Sequence, residues 1–251
     1  MKIISLGWGV QSFGLAAMSA LDMLPKVDFA IHADTSWERT ETVGFARKWT
    51  PWLEKHGVKV ITVQAPKKLQ NPCYSVNVGS TFLPAFTKSL SDNSRGMLRR
   101  QCTNRWKIMP MRRWLSKRLM ELGQPKSPGV IEQWLGFTLD ESHRAKPGDV
   151  RYITNHFPYL EMLSRPWTRG MVIQWLREQG LEVPVKSSCI ICPFHDDDEW
   201  RAIQMDGDGD WERAVEVDRA IRDARAGYEC YLCDDRRPLE DHDFMQQLSY
   251  W

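Results

Sequence analysis

The stretch Lys2-Ile-Ile-Ser5-Leu-Gly7-Trp8-Gly9-Val10-Gln11-Ser12 decides the fold. Lys2–Leu6 is a short apolar run of strand character, and the glycine-bearing turn Gly7-Trp8-Gly9 ends it. Ser12–Leu24 then places Phe13, Ala16, Ala17, Ala20, Leu21 and Leu24 on one helical face, and Pro25 closes the helix. The alternation continues: Val27–Ala33 reads as a second strand, Glu38–His56 as a helix stopped by Gly57, and Val58–Val63 as a third strand. Parallel neighbours need crossover connections, which helices supply with a right-handed sense. The predicted fold class is α/β, a Rossmann-like open parallel sheet.

Further along, Gln64–Asn93 is rich in Pro, Ser, Asn and Thr and reads as an excursion near the active site. Thr103–Gly123 has helical, strongly basic character, Pro125–Gly129 is a loop, and Val130–Phe137 is another buried strand. Thr168–Gly180 and Trp211–Ala226 read as helices. No internal repeat is present.

With 251 residues, 42% apolar and 26% charged, the chain can bury a sizeable core without disulfides. The net charge of +2 says little, but its distribution says more. From Arg95 to Arg118 there are nine basic residues and no acid, whereas Asp196–Asp218 carries ten acids against Arg201 and Arg213. The first region attracts phosphates and the second repels them. No leader pattern opens the sequence and no apolar run is long enough to span a bilayer, so a cytoplasmic location without a membrane partner is expected. In a reducing compartment, cysteines at C-x-x-C spacing suit metal ligation better than disulfides.

The turn carries the first chemistry. Glycines let backbone amides approach an anion, the helix start adds a favourable dipole, and Ser12 adds a hydroxyl. Ordinary turn chemistry would use the same residues. The sequence matches neither G-x-x-x-x-G-K-[ST] nor G-x-G-x-x-G. The second strand ends in Ala33-Asp34-Thr35-Ser36, where Asp34 can accept from an adenine or ribose group, take part in metal binding, or cap the next helix.

Cys189-Ile-Ile-Cys192-Pro193 and Cys230-Tyr-Leu-Cys233 are the two C-x-x-C pairs, a spacing that aims two thiolates at one metal; a Cys₄ zinc site is one reading. Cys102 lies in the basic segment among Arg99, Arg100, Arg105 and Lys107, which suit phosphate or sulfate groups or form a solvated face. Arg112, Arg113, Lys117 and Arg118 could meet a nucleic-acid backbone. Cys73 reads as a small buried hydrophobe. The calcium-loop pattern Asp206-Gly-Asp-Gly-Asp210 fails, because Trp211 stands where glycine is required and Val217 where glutamate is required.

"SLGWGVQS" and "IHADTSWE", followed in order by "RRQCTNRWKIMP", "LGFTLDESHR", "FPYLEM" and "KSSCIICPFHDDDEW", resemble the PAPS reductase-like family of the PP-loop ATP pyrophosphatase (adenine nucleotide alpha hydrolase) superfamily, over residues 3–245. The resemblance implies a PP-loop/HUP-type sheet, with a nucleotide-binding α/β domain at 1–165 and a cysteine-containing C-terminal helical region at 166–251 packed on it. It implies ATP or a related adenine nucleotide with Mg²⁺, bound by Ser5, Gly7, Gly9, Val10, Gln11, Ser12, Asp34, Arg100, Arg105, Lys107 and Glu141. Ser12, Asp34 and Arg144 are the implied catalytic residues, and adenylation of an acceptor for sulfur transfer is the implied reaction. A [4Fe–4S] cluster on Cys102, Cys189 and Cys192 is implied, with Cys233 or Cys230 as the fourth ligand or an open fourth iron; zinc is the alternative. Nucleic acid, a sulfur-donor or thiol protein, and a second copy of the chain are compatible partners.

The chain departs from the family pattern at Trp8, where a glycine is expected. A bulky side chain there would narrow the phosphate cradle or stack on the base. The Glu-Cys-Gly-x-His motif of sulfonucleotide reductases is missing, as is their adjacent cysteine pair. Sulfonucleotide reduction, and a non-catalytic zinc-stapled nucleic-acid-binding module, are the competing readings.

Overall fold

The computed structural model describes residues 1–73 and 82–244, so 74–81 of the predicted Gln64–Asn93 excursion lie outside the described residues. The chain runs β1 (Lys2–Ser5), α1 (Val10–Ala20), β2 (Phe29–Asp34), α2 (Thr40–Lys55), β3 (Val60–Gln64) and the short α3 (Lys67–Gln70). β4 (Phe86–Ser89) and β5 (Arg95–Met97) lead to a π-helical turn, Thr103–Ile108, and then α4 (Met109–Glu121). β6 (Ile131–Trp134), β7 (Ile153–His156), α5 (Pro158–Glu161) and α6 (Arg169–Glu178) follow. The last third holds α7 (Asp197–Asp206), α8 (Asp210–Ala220) and β8 (Tyr228–Tyr231).

The chain divides into two compact units that interleave in sequence. The first comprises Met1–Ala33, Glu41–Val63 and Pro110–Ser187; the second comprises Asp34–Thr40, Gln64–Met109 and Ser188–Trp251.

In the first unit lies a Rossmann-like five-stranded parallel sheet of order β3-β2-β1-β6-β7. β1 pairs with β2 on one side (Ile4↔Ala30) and with β6 on the other (Ile4↔Trp134). Successive strand residues face opposite ways, and both faces of this sheet are covered. Ile4 enters a core with Phe13, Ala17, Trp134, Val172 and Leu176, whereas Ile3 enters a second core with Ile31, Met111, Leu115 and Ile153. That two-sided burial is why β1 reads as a continuous apolar run. The strand order reverses between β1 and β6, and open α/β sheets bind ligands at the strand C-terminal ends beside such a reversal.

The second unit holds a three-stranded antiparallel sheet of order β5-β4-β8, with Phe86 opposite both Met97 and Tyr231. Its core gathers Ala85, Trp106, Trp200, Ile203, Ile221 and Leu232. Asp196 and Glu199 form a reciprocal capping box that starts α7. Buried Asp218 on α8 accepts from the Leu232 amide at 2.7 Å and the Leu239 amide at 3.0 Å, and pairs with Arg222 at 2.5 Å. The C-terminal cysteine region is thus helical in α7 and α8, with Cys230 on a strand. No helix among the described residues is long and apolar enough to cross a membrane.

Candidate functional site

The turn after β1 is held by Ser12. Its hydroxyl accepts from the Gly7 amide at 3.0 Å and donates to the Gly9 carbonyl at 3.3 Å, while the Ser187 hydroxyl donates to the Gly7 carbonyl. Gly9 starts α1 without a side-chain cap, and no acid occupies the first turn of the helix. Trp8 has φ +60, the left-handed conformation that glycine adopts freely. Its side chain turns inward instead of toward a ligand: it is 2% exposed and lies against Phe13, Phe45 and His32. The expectation that Trp8 narrows the cradle or stacks on a base is therefore corrected, because its indole is part of the core. Val10 is buried in the same core, which leaves its backbone as the part of that residue a ligand could meet. Ser5 ends β1 opposite Ile31.

Two segments at the C-terminal edge of the sheet, one after β6 and one after β7, converge on Gln11. Its side-chain amide donates to Glu141 Oε2 at 2.9 Å, and its carbonyl accepts from the buried Tyr159 hydroxyl at 2.8 Å. A Cβ on Gly136, in the loop after β6, would lie 3.0 Å from the Gln11 carbonyl carbon, so only glycine fits without displacement. Arg144 pairs with Glu141 and stacks over Phe137, 4.6 Å from the ring centre. Glu141 is thereby neutralised within a short 3₁₀ segment, Leu139–Arg144. Sequence reasoning missed Tyr159, Gly136 and Ser187. Tyr159 and Ser187 lay within "FPYLEM" and "KSSC", but nothing in their residue types marked them as partners of the turn.

Within the second unit, Asp34 does not cap α2. Its Oδ1 accepts from the Ser36 amide at 2.7 Å and its Oδ2 from Gln64 at 2.6 Å. The first residue of α2, Thr40, is held by Asp210, whose Oδ2 takes the Thr40 amide at 2.7 Å.

The cysteine centre is built on Thr35, Glu38, Lys107 and the C-x-x-C turn. The Glu38 and Cys189 backbones form a β-bridge, and the Ile190 amide donates to the Trp37 carbonyl at 2.8 Å. The Thr35 hydroxyl donates to the Glu38 carboxylate and lies 3.4 Å from Cys189 Sγ. A hydroxyl has one proton, so in the metal-free protein the Cys189 thiol is the donor to Thr35. Lys107, 3.8 Å from Glu38 Oε1, balances this buried acid. Burial pushes the Cys189 thiol up to about 12, with Lys107 acting against the shift and Glu38 adding to it. For Lys107, burial is outweighed by Cys189, Glu38 and Cys102, which hold its ammonium above the ordinary lysine range.

Cys192 follows in a tight turn, its amide donating to the Cys189 carbonyl at 3.0 Å. The His195 ring closes the turn, with Nε2 2.9 Å from the Cys189 carbonyl and Nδ1 3.4 Å from Glu199. Burial raises the Cys192 thiol, opposed by the Phe194 amide and Arg100 and reinforced by Cys102. Arg100 also stacks on the exposed Phe194 ring at 5.5 Å. Cys102 begins the π-helical turn that carries Trp106 and Lys107, a backbone form frequent at functional sites. Arg105 stays at the surface, bonded to Gln101 at 3.3 Å and lying over Phe82.

Cys233 belongs to a different group of donor atoms: its Sγ, a carboxylate oxygen of Asp235 and a ring nitrogen of His242 all lie within 4.8 Å of one another. Among the described residues this is the one such group, so Cys102, Cys189 and Cys192 are more openly spaced, as are the thiols of the two C-x-x-C pairs taken together. Cys230 is fully buried on β8 and its thiol is raised by burial; Cys73 packs beside the core of its unit and is raised for the same reason. On α4, Arg112 pairs with Asp149, and both Lys117 and Arg118 pair with Glu121. Much of that helix's positive charge is thereby answered inside its own unit.

No family model matches the chain, and no curated protein is similar to it in sequence. Among solved structures it is similar to a phosphoadenylyl-sulfate (PAPS) reductase from Candida auris in a phosphate complex, at 13% identity over 73% of this chain and 74% of that one, with a TM-score of 0.43.

Proposed function

We propose that the chain is an enzyme of the PAPS reductase-like, PP-loop kind that binds an adenine nucleotide by its phosphates at the Gly7–Ser12 turn. One observation carries the reading. Ser12 fixes the turn through Gly7 and Gly9, while the α1 amides have neither a side-chain cap nor an acid in the first turn. Helix starts leave amides without intrahelical partners and attract anions. Glu141, the nearby carboxylate, is already paired with Arg144. On nucleotide binding, Arg144 would add a bond to a phosphate oxygen while Glu141 keeps its hold on both Arg144 and Gln11.

ATP with Mg²⁺ is the nucleotide in this reading. Attack by an acceptor at the α-phosphate forms an adenylated acceptor and releases pyrophosphate. The α1 amides and Arg144 would stabilise the charge that builds on the phosphate oxygens. In the second unit, Cys102, Cys189 and Cys192 would hold a [4Fe–4S] cluster, whose chemistry there is the supply of sulfur to the activated acceptor, such as a nucleic acid, with a sulfur-donor or thiol protein as partner. What supports an iron–sulfur centre is the donor chemistry: three free thiols in one unit, with the Lys107 ammonium favouring the Cys189 thiolate. Because Cys233 is grouped with Asp235 and His242, the fourth position is left open for sulfide or substrate.

The nucleotide half is tested by pyrophosphate release from ATP in the full chain and in Ser12→Ala. The cluster half is tested by anaerobic purification with iron, sulfide and zinc analysis. Iron and sulfide near four per chain support it, and zinc in place of iron at Cys102, Cys189 and Cys192 removes it.

A further inference from the structure

We propose that Cys233, Asp235 and His242 form a zinc site separate from the cluster cysteines. The three donor atoms lie within 4.8 Å of one another, and two of the three residues are buried. Thiolate, imidazole and carboxylate together are the ligand classes of zinc, which takes three protein ligands and a water as readily as four protein ligands. Calcium and magnesium prefer oxygen alone.

A second observation, at His242, points to a ligand. His242 is 8% exposed, and its Nε2 is sealed from solvent without a hydrogen bond, although Asp235 Oδ1 is 3.3 Å away. A buried ring nitrogen left this way is costly unless something binds it. The surroundings are also anionic: Asp197, Asp234 and Asp235 all bear electrostatically on Cys233. A divalent cation would offset that crowding, while a proton on the thiol does so only by leaving the sulfur neutral.

The ring is held in place from behind. It stacks on Phe244 at 5.0 Å with the planes 4° apart, and Gln204 on α7 binds both the His242 carbonyl at 3.3 Å and the Phe244 amide at 3.2 Å. Arg201 on the same helix donates to the Phe244 carbonyl at 2.8 Å. The site would therefore staple the end of β8 to the segment that packs on α7, a structural role.

Arg237 opposes the metal. Its Nη2 lies 3.3 Å from His242 Nδ1 and its Nε bonds Asp235 at 2.7 Å. Zinc on Nε2 puts the ring proton on Nδ1, so Arg237 must swing away. Its side chain is 58% exposed and an exposed ion pair is weakly held, so it can do so.

The experiment uses the full chain, stripped of metal and titrated with zinc under reducing conditions, beside a Cys189→Ser/Cys192→Ser variant. The expected result is one zinc retained when Cys189 and Cys192 are replaced, and lost in Cys233→Ser and His242→Gln, with Arg237→Gln binding more tightly. X-ray absorption on the zinc-loaded Cys189→Ser/Cys192→Ser chain then shows a single sulfur donor, a readout that does not depend on the folding of the Cys233 or His242 variants. Retention of zinc by Cys233→Ser with loss in the Cys189/Cys192 variant, two or more sulfur donors, or no zinc in any form would each overturn the proposal. The nucleotide reading stands or falls separately, since pyrophosphate release does not report on this site.

Discussion

Gly136 rests on Gln11: a Cβ on the glycine would stand 3.0 Å from the Gln11 carbonyl carbon and 3.1 Å from its oxygen. The loop that follows β6 is thereby pressed onto the first turn of α1, where the strand order reverses. Gly136→Ala must push the turn aside, and overpacking of this kind costs about 1–3 kcal/mol. Lower thermal stability together with weaker ATP binding is expected. A variant that melts lower but binds ATP as before would separate this contact from the turn's function.

Trp8 sets two effects against each other. Trp8→Gly relieves a left-handed backbone worth about 1–2 kcal/mol, but it removes a buried indole worth about 3–5 kcal/mol. Burial wins, so the variant should be less stable by about 1–4 kcal/mol in chemical denaturation. A more stable variant would mean that the indole is not part of the core.

At Gly14, helix propensity predicts the wrong sign. Alanine in a helix interior is favoured over glycine by about 1 kcal/mol. Here a Cβ would meet the Tyr159 hydroxyl at 2.5 Å and Val172 Cγ1 at 2.6 Å, both in fully buried side chains. Gly14→Ala should therefore destabilise, and Gly14→Ala/Tyr159→Phe/Val172→Ala should recover part of the loss relative to Tyr159→Phe/Val172→Ala. Equal losses in both backgrounds would show that the contacts are not the cause.

The first strand–helix–strand run was legible because its period-2 and helical patterns are strong and both sheet faces are buried. β7 was not: Ile153–His156 is four residues long, with one buried position, and offers no run or alternation to read. The β5-β4-β8 sheet was hidden because its strands are short and β8 comes from a part of the chain distant from the β4–β5 hairpin. The cysteines stand out by their spacing, and at Cys189 the chain does make a tight turn, closed by the Cys192 amide on the Cys189 carbonyl. The grouping of Cys233 with Asp235 and His242 was not foreseen, since neither an Asp two residues on nor a His nine residues on is a metal spacing that stands out. Glu38 and Thr35 lay in the quoted second-strand motif, but their pairing with Cys189 depends on a backbone bridge that no local pattern announces.

The thiols make a pH prediction for the metal-free chain. Cys189 and Cys233 rise from the ordinary 9.0 to about 12, chiefly through burial. Groups raised in the folded state stabilise it fully below the unfolded value, and that stabilisation is lost as pH climbs through the folded value. The denaturation midpoint should fall between pH 9 and 12, and fall less in Cys189→Ser. Alkylation of Cys189 should be slowed further by Lys107→Met and quickened by Glu38→Gln, because the first removes a cation that favours the thiolate and the second an anion that opposes it. The opposite order would contradict the Thr35–Glu38–Lys107 arrangement.

The central claim is that phosphates bind at the Gly7–Ser12 turn, and pyrophosphate release from ATP in the intact chain and in Ser12→Ala tests it most directly. Ser12→Ala removes the hydroxyl that joins Gly7 to Gly9, so release should fall by at least tenfold, about 1.4 kcal/mol, while the variant stays folded by circular dichroism. Unchanged release in a folded Ser12→Ala chain would contradict the account.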